Sequence, residues 1–355
     1  MRSIKTAVVA AAALACCVLV LPAAQAQAPT TLSFNWEGAY GRANILVWPF
    51  RPGGHYEMLV AQHTNGSVKL DIKEKLFGIM DSAFAIGDGR VQMGTQSIPA
   101  ASGTYPLLDF GGIPGLFSAM PDGAVEYANA LHDPKMMGAL DTYTKPAGFK
   151  ILGAAVSLAN NALWGNKPIK TLADFKGVKM RASGRTQTSA LRAVGGSPVT
   201  LSMAEIEEAL SRGTVDAIMT SKSFGAERGL MPMAKFVSIW PITPIFAQFV
   251  AINFKAWDKL DARQKEGLMR ASAQLTREMP LALEQMDISY TLWIRSAKTE
   301  LVLPDEAEVK RAMAQMQPVV KDWLETAGPH GREVLRIAAQ HAKGPSAEVI
   351  RGMAK

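Results

Sequence analysis

The chain is poor in the residues that usually announce chemistry. Of 355 residues only two are cysteine, Cys16 and Cys17, and both stand inside the leading apolar run. A chain that loses that run keeps no disulfide, no thiol nucleophile and no thiolate ligand. The five histidines, His55, His63, His132, His330 and His341, are scattered without metal-ligand spacing, so neither a metal nor a cofactor is expected. The patterns H-E-x-x-H, G-x-S-x-G, G-x-x-x-x-G-K-[ST] and G-x-G-x-x-G are missing, and a catalytic site would have to be assembled from distant residues. Charged residues make up 19% and are interspersed; with no basic block and no aromatic-basic array, nucleic acid is a poor partner.

What is present begins with a processing signal. Arg2 and Lys5 form a basic start, Thr6 to Leu21 an apolar stretch, and Ala24-Gln25-Ala26 a small-residue cleavage pattern. The stretch is short for a membrane span, and apolar sequence running on past Cys16 fits a lipoprotein site poorly. Export with cleavage after Ala26 is therefore expected. Two positive charges leave with the leader, so the remaining 329 residues carry +5 of the original +7. That length suits two lobes with separate cores.

The most legible stretch runs from Thr171 to Ser221. Thr171 and Asp174 have capping-box spacing, and a short helical turn is predicted to end at Gly177. Val178 to Ala182 alternates, with Lys179 and Arg181 on one face, which predicts a strand. A helix over Thr186 to Val194 stops at Gly195-Gly196, Ser202 and Glu205 open another that Gly213 closes, and Val215 to Met219 returns as a buried strand. In open α/β sheets ligands lie beyond the carboxyl ends of strands, where Arg181 and the Thr220 to Ser223 segment would emerge. A lone arginine is as readily a structural or solvated one. In a cleft, its parallel N–H donors would fit a carboxylate.

The wording around Arg181 resembles the DctP-type solute-binding proteins of tripartite ATP-independent periplasmic (TRAP) transporters. The resemblance is carried by Pro168-Ile169, Asp174-Phe175-Lys176-Gly177-Val178-Lys179-Met180-Arg181, Val194 to Val199, Glu205, Ala209-Leu210, Gly213 and Val215-Asp216. It implies a two-lobe α/β periplasmic binding protein of type II-like architecture, with a long helix bridging the lobes and a ligand cleft between them. It further implies that Arg181 grips a substrate carboxylate and that the protein delivers a small organic acid to membrane permease subunits. Met203 and Thr220 stand where the family often has an aromatic residue and an asparagine, which suggests a less polar pocket and a small aliphatic or aromatic acid. Asn161 stands where the sialic-acid branch uses a second arginine. A periplasmic enzyme acting on an organic acid, or a sensory adaptor, are the alternatives.

Elsewhere, Thr31 to Trp36 predicts a strand with Trp36 at its carboxyl end, and Val91 to Gly94 one leading into Thr95. Trp36 and Thr95 are the candidate first-lobe half of the cleft; Trp240 is a candidate facing it, and Trp164 a stacking or packing ring. Gly123 to Leu140 predicts one helix, and Phe149 to Leu158 a buried strand crossing to the second lobe. Phe236 to Ile239 and Phe246 to Asn253 predict strands, the latter crossing back. Asp261 to about Leu303 predicts a long helix kinked at Pro280, and Asp305 to Ala327 an amphipathic helix. The expected division is 1–26 leader, 27–157 plus 248–286 lobe I, and 158–247 plus 287–355 lobe II.

Overall fold

A computed structural model of the chain describes residues 28–37, 49–157, 160–201 and 205–354. The expected leader and Met203 lie outside these residues, as does the side chain of Asn161. Eleven strands are described. In chain order they are β1 (Thr30–Trp36), β2 (Val68–Glu74), β3 (Met93–Ser97), β4 (Phe149–Ser157), β5 (Asn160–Gly165), β6 (Lys179–Ala182), β7 (Ser197–Thr200), β8 (Ala217–Thr220), β9 (Phe236–Thr243), β10 (Phe246–Asn253) and β11 (Glu300–Val302).

They form two sheets, β2-β1-β3-β10-β4 and β11-β9-β5-β8-β6-β7. β1 runs parallel to β2 and β3, β6 parallel to β7 and β8, and β9 parallel to β11. The chain leaves the first sheet after β4, builds the second, and returns as β10, which pairs antiparallel with both β3 and β4. β5, the first strand of the second sheet, is inserted antiparallel between β8 and β9 in the same way. Each lobe thus has one antiparallel strand where the chain crosses, and β10, buried throughout, reads as a continuous apolar run around Gln248.

The bridge between lobes is the helix Ala262–Ser296, started by a capping box of Asp261 and Gln264. Its 35 residues span about 50 Å at 1.5 Å per residue. Its first half lies on the first sheet: Ser272 meets the Tyr56 hydroxyl at 2.8 Å, and Thr276 Oγ1 accepts from the Ala154 N–H at 3.0 Å. Gly153 has no room for a side chain there, since a Cβ would stand 2.8 Å from the Ser272 carbonyl. Its second half holds the other lobe, where Lys222 pairs with Asp287 at 2.6 Å and Tyr290 donates to Glu227. The helix stops at Ser296, short of Leu303, because the chain turns into β11 beside β9.

Prolines account for the other differences from expectation. The single helix expected over Gly123 to Leu140 is two, Asp122–Leu131 and Pro134–Thr144, with Asp133 capping the second at 2.8 Å. The helix expected over Asp305 to Ala327 is also two, Glu306–Gln315 and Gln317–Ala327, with Pro318 in the first turn of the second. β9 continues through Pro241 because its pairing with β5 shifts register there and asks no ladder hydrogen bond of that residue. The end of the chain requires a correction. Residues 331–354, assigned by expectation to lobe II, return to lobe I: the helix Gly331–His341 packs on Asp122–Leu131 and Pro134–Thr144, burying Val334, Leu335, Ile337 and Ala338. His341 meets Asp133 at 3.0 Å across that contact.

Candidate functional site

The site grows from β6. The turn before it is fixed by the Thr171 and Asp174 capping box, with the Asp174 carboxylate accepting from the N–H groups of Lys170 and Thr171 at 2.9 and 2.7 Å. Gly177 follows at φ +73°, a left-handed conformation that favours glycine. Asp216 then accepts from the Lys179 N–H at 2.8 Å and sets the register of β6 against β8. Arg181 emerges near the end of β6 with only 2% of its surface exposed. Its Nε donates to the Leu201 carbonyl at 3.2 Å and its Nη1 to the Met219 carbonyl at 3.3 Å, which fixes the plane of the guanidinium. Burial lowers its pKa to about 10, so it remains a cation at neutral pH.

Arg181 lines a cavity of about 630 Å³ between the two sheets. Ile79, Met80, Ser97, Pro99 and Ser102 line it from the first lobe; Ser183, Thr188, Thr200, Leu201 and Thr220 line it from the second. Beside it the lobes touch directly. The Arg185 N–H donates to Ser102 Oγ at 2.9 Å, and a Cβ on Gly184 would fall 2.2 Å from the Pro99 carbonyl oxygen. The helix Gln317–Ala327 closes the side: Asp322 accepts from Ser189 at 2.7 Å and pairs with Arg185 at 3.6 Å, while Trp323 Nε1 donates to the Pro106 carbonyl at 3.0 Å. Deeper in the interface, the Thr186 hydroxyl on the second lobe hydrogen-bonds Asp109 on the first. Burial raises that carboxyl to about 7 against this bond.

The structure brings Arg181 and Thr220 to the same cavity. Three expected residues are not there. Trp36 is buried in the first-lobe core, and Thr95, also fully buried, accepts from the Glu37 N–H at 3.4 Å behind the wall. The side chain that reaches the cavity from β3 is Ser97, two residues further along the same strand face. Trp240 is buried in the second lobe, its ring edge-on to Phe175 at 4.9 Å and its Nε1 donating to the Ile169 carbonyl at 2.8 Å. An indole with its one donor spent and its faces packed is a core residue. Trp164 is likewise buried, with Nε1 bonded to the Ser221 carbonyl at 3.3 Å.

Sequence reading missed the Ile79-Met80 wall, the Pro99 to Ser102 turn, Phe246 at the start of β10, and Asp322. It also missed the face of the helix Arg185–Ala193, where Arg185, Thr188, Ser189 and Arg192 all line the cavity. Their spacing of three, four and seven was the available signal. Behind the first-lobe wall, Glu37 is buried with Oε1 accepting from Gln248 Nε2 at 2.9 Å and its carboxyl facing the Ser97 backbone N–H. Burial raises it to about 8, so near neutrality it is a neutral acid. Among the described residues no group of three or more His, Cys, Asp or Glu is placed to hold a metal, and no helix is long and apolar enough to cross a membrane.

Comparison with known proteins gives concordant results. The family model DctP, described as bacterial extracellular solute-binding protein, family 7, matches residues 54–326. The chain is 23% identical over 266 residues to a solute-binding protein of Albidiferax ferrireducens, covering 71% of this chain and 74% of that one. It is 26% identical over 247 residues to the C4-dicarboxylate-binding periplasmic protein DctP of Rhodobacter capsulatus, covering 65% and 70%. Among solved structures it is similar to a Bordetella pertussis extracytoplasmic solute receptor binding pyroglutamic acid, with TM-score 0.74, 20% identity, and coverage of 87% of this chain and 99% of that one.

Proposed function

The chain belongs to the DctP family of bacterial extracellular solute-binding proteins, and from that premise we propose that it captures a small organic acid in the cleft between its lobes. It hands the acid to the membrane permease of a TRAP-type transporter and works in the periplasm as a receptor, not as a catalyst. The named ligands of the similar proteins, C4-dicarboxylates and pyroglutamic acid, are all carboxylic acids. The observation that carries the reading for this chain is the buried Arg181 cation on the cavity wall, fixed in plane by two carbonyls and neighboured by Thr220.

Mechanistically, the acid binds first to the Arg181 wall. Closure then follows, because a ligand favours the closed form only through contacts it makes with both lobes in that form. In this reading Ser97, Pro99 and Met80 supply the first-lobe contacts. The long helix and the helix Gln317–Ala327 touch both lobes and limit the motion to a hinge. A bidentate carboxylate fits a fixed guanidinium better than a lone ammonium would.

Thermal unfolding in the presence of matched acids and their amides tests the proposal. An acid that binds the folded protein raises the melting temperature by mass action, while its uncharged amide leaves it unchanged. Equal shifts from acid and amide would contradict the reading. A binding protein also returns its acid unaltered, so turnover of the same acid would argue for the enzyme alternative.

A further inference from the structure

The cavity wall offers a count of what its polar groups are already doing. Eight serine and threonine side chains line it. Four spend their protons inside the protein: Ser102 on the Pro99 carbonyl at 2.7 Å, Ser183 on Gln187 at 2.6 Å, Thr188 on the Gly184 carbonyl at 2.8 Å and Ser189 on Asp322 at 2.7 Å. A fifth, Ser221, shares a hydrogen bond with Ser223 at 3.0 Å and accepts from the Phe224 N–H. Among the described lining residues, Ser97, Thr200 and Thr220 remain as uncommitted hydroxyl donors. Asp322, the one acid among the described lining residues, is occupied by Ser189 and Arg185.

Apart from these groups and the guanidinium groups of Arg181, Arg185 and Arg192, the described side chains facing a ligand are apolar. Ile79, Met80, Pro99 and Ala100 stand on one side, Leu201 and Phe224 on the other. Met80 is 62% exposed although it lines a cavity, an apolar side chain left for something else to cover. Resting on the acid reading above, we infer that the cleft selects acids with an apolar aliphatic or aromatic body and discriminates against polyhydroxylated sugar acids. The head is a carboxylate at Arg181 and Thr220. Each hydroxyl on the body would lose water and meet a wall whose donors are mostly spent, and a buried polar group without a partner is costly. Arg192, exposed in the last turn of its helix, is screened by water and adds little for a second carboxylate.

Calorimetry with the series propanoate, butanoate, hexanoate and octanoate, beside gluconate, adipate, hexylamine and hexan-1-ol, tests this. Affinity is expected to rise about fourfold per methylene until the cavity is filled, and hexanoate to exceed gluconate about a hundredfold. Met80→Ser, at a largely exposed position, should lower hexanoate affinity about fivefold. A flat response to chain length, or gluconate or adipate binding as tightly as hexanoate, overturns the inference and leaves the acid reading standing. Hexylamine or hexan-1-ol binding as tightly as hexanoate overturns the acid reading itself.

Discussion

The two walls of the cleft are built on opposite principles. The second-lobe wall carries a buried charge, Arg181, held by carbonyls at the end of β6 and cationic at neutral pH. The first-lobe wall is uncharged at its surface, with Ile79, Met80 and Pro99 beside the hydroxyls of Ser97 and Ser102, and the acid behind it, Glu37, is neutral near pH 7 because burial raises it to about 8. Burial acts on both groups in the same sense, against the charged form, but a base near 10 survives it and an acid near 8 does not. Among the described residues that line the cleft, the buried ionised group is the Arg181 cation, which is the electrostatic setting for an anion. One lobe reads the charge of the ligand; the other reads its shape.

Removing the charge should break this contrast most completely. Arg181→Ala is expected to weaken binding of the cognate acid by about 3–5 kcal/mol, the cost of leaving a buried ion without its partner. Arg181→Lys should recover only part of that, since an ammonium lacks the planar fork. Calorimetry on the two variants measures both effects, and an unchanged affinity in Arg181→Ala would remove the distinction between the walls.

The neutral acid gives the second test. Burial raises Glu37 from the ordinary carboxylate value of 4.5 to about 8 in the folded protein. Between those values the native state binds more protons than the unfolded chain, so stability falls as pH rises through that window and levels off above about 8. Glu37→Gln should abolish this contribution, making the variant more stable than the parent at pH 8.5 by a few kcal/mol and no more stable at pH 4. Asp109, raised to about 7, adds a slope of the same sign between the ordinary carboxylate range and neutrality. Denaturant midpoints across pH 4 to 9 would show it; a slope unaltered in the variant would mean that Glu37 is charged in the fold.

Where the walls meet, Gly184→Ala would place a methyl 2.2 Å from the Pro99 carbonyl oxygen. The neighbour is backbone and cannot swing aside, so the lobes should be held apart at a cost of about 1–3 kcal/mol. Small-angle scattering of the variant with saturating acid should give a larger radius of gyration than the parent, and identical curves would show that this contact plays no part in closure. The smallest effect is expected from Asp322→Ala. Its pair with Arg185 is partly exposed and worth less than about 1 kcal/mol, so acid affinity should change by less than about fivefold.

The same contrast marks what could be read from the sequence. The second-lobe wall is local code: the Thr171 and Asp174 box, Gly177, the alternation through Arg181 and the following helix all act within a few residues, and each is found in the fold. The first-lobe wall is assembled from segments far apart in sequence, so alternation along β1 and β3 indicated which strands reach the cleft but stopped at Trp36 and Thr95, short of Ser97 and Pro99. Trp240 shows a second limit. An indole before a proline looks like a cleft residue until its donor is found on the Ile169 carbonyl. The helix Gly331–His341 shows a third, since its apolar face demands burial without saying which lobe provides it.

A crystal structure with the tightest-binding acid tests the central claim most directly. The account predicts both carboxylate oxygens within hydrogen-bond distance of the Arg181 guanidinium, one of them also near the Thr220 hydroxyl, with the body of the acid against Met80, Pro99 and Leu201. A carboxylate seated instead on Arg185 or Arg192 at the rim, with Arg181 turned wholly onto protein acceptors, would contradict it.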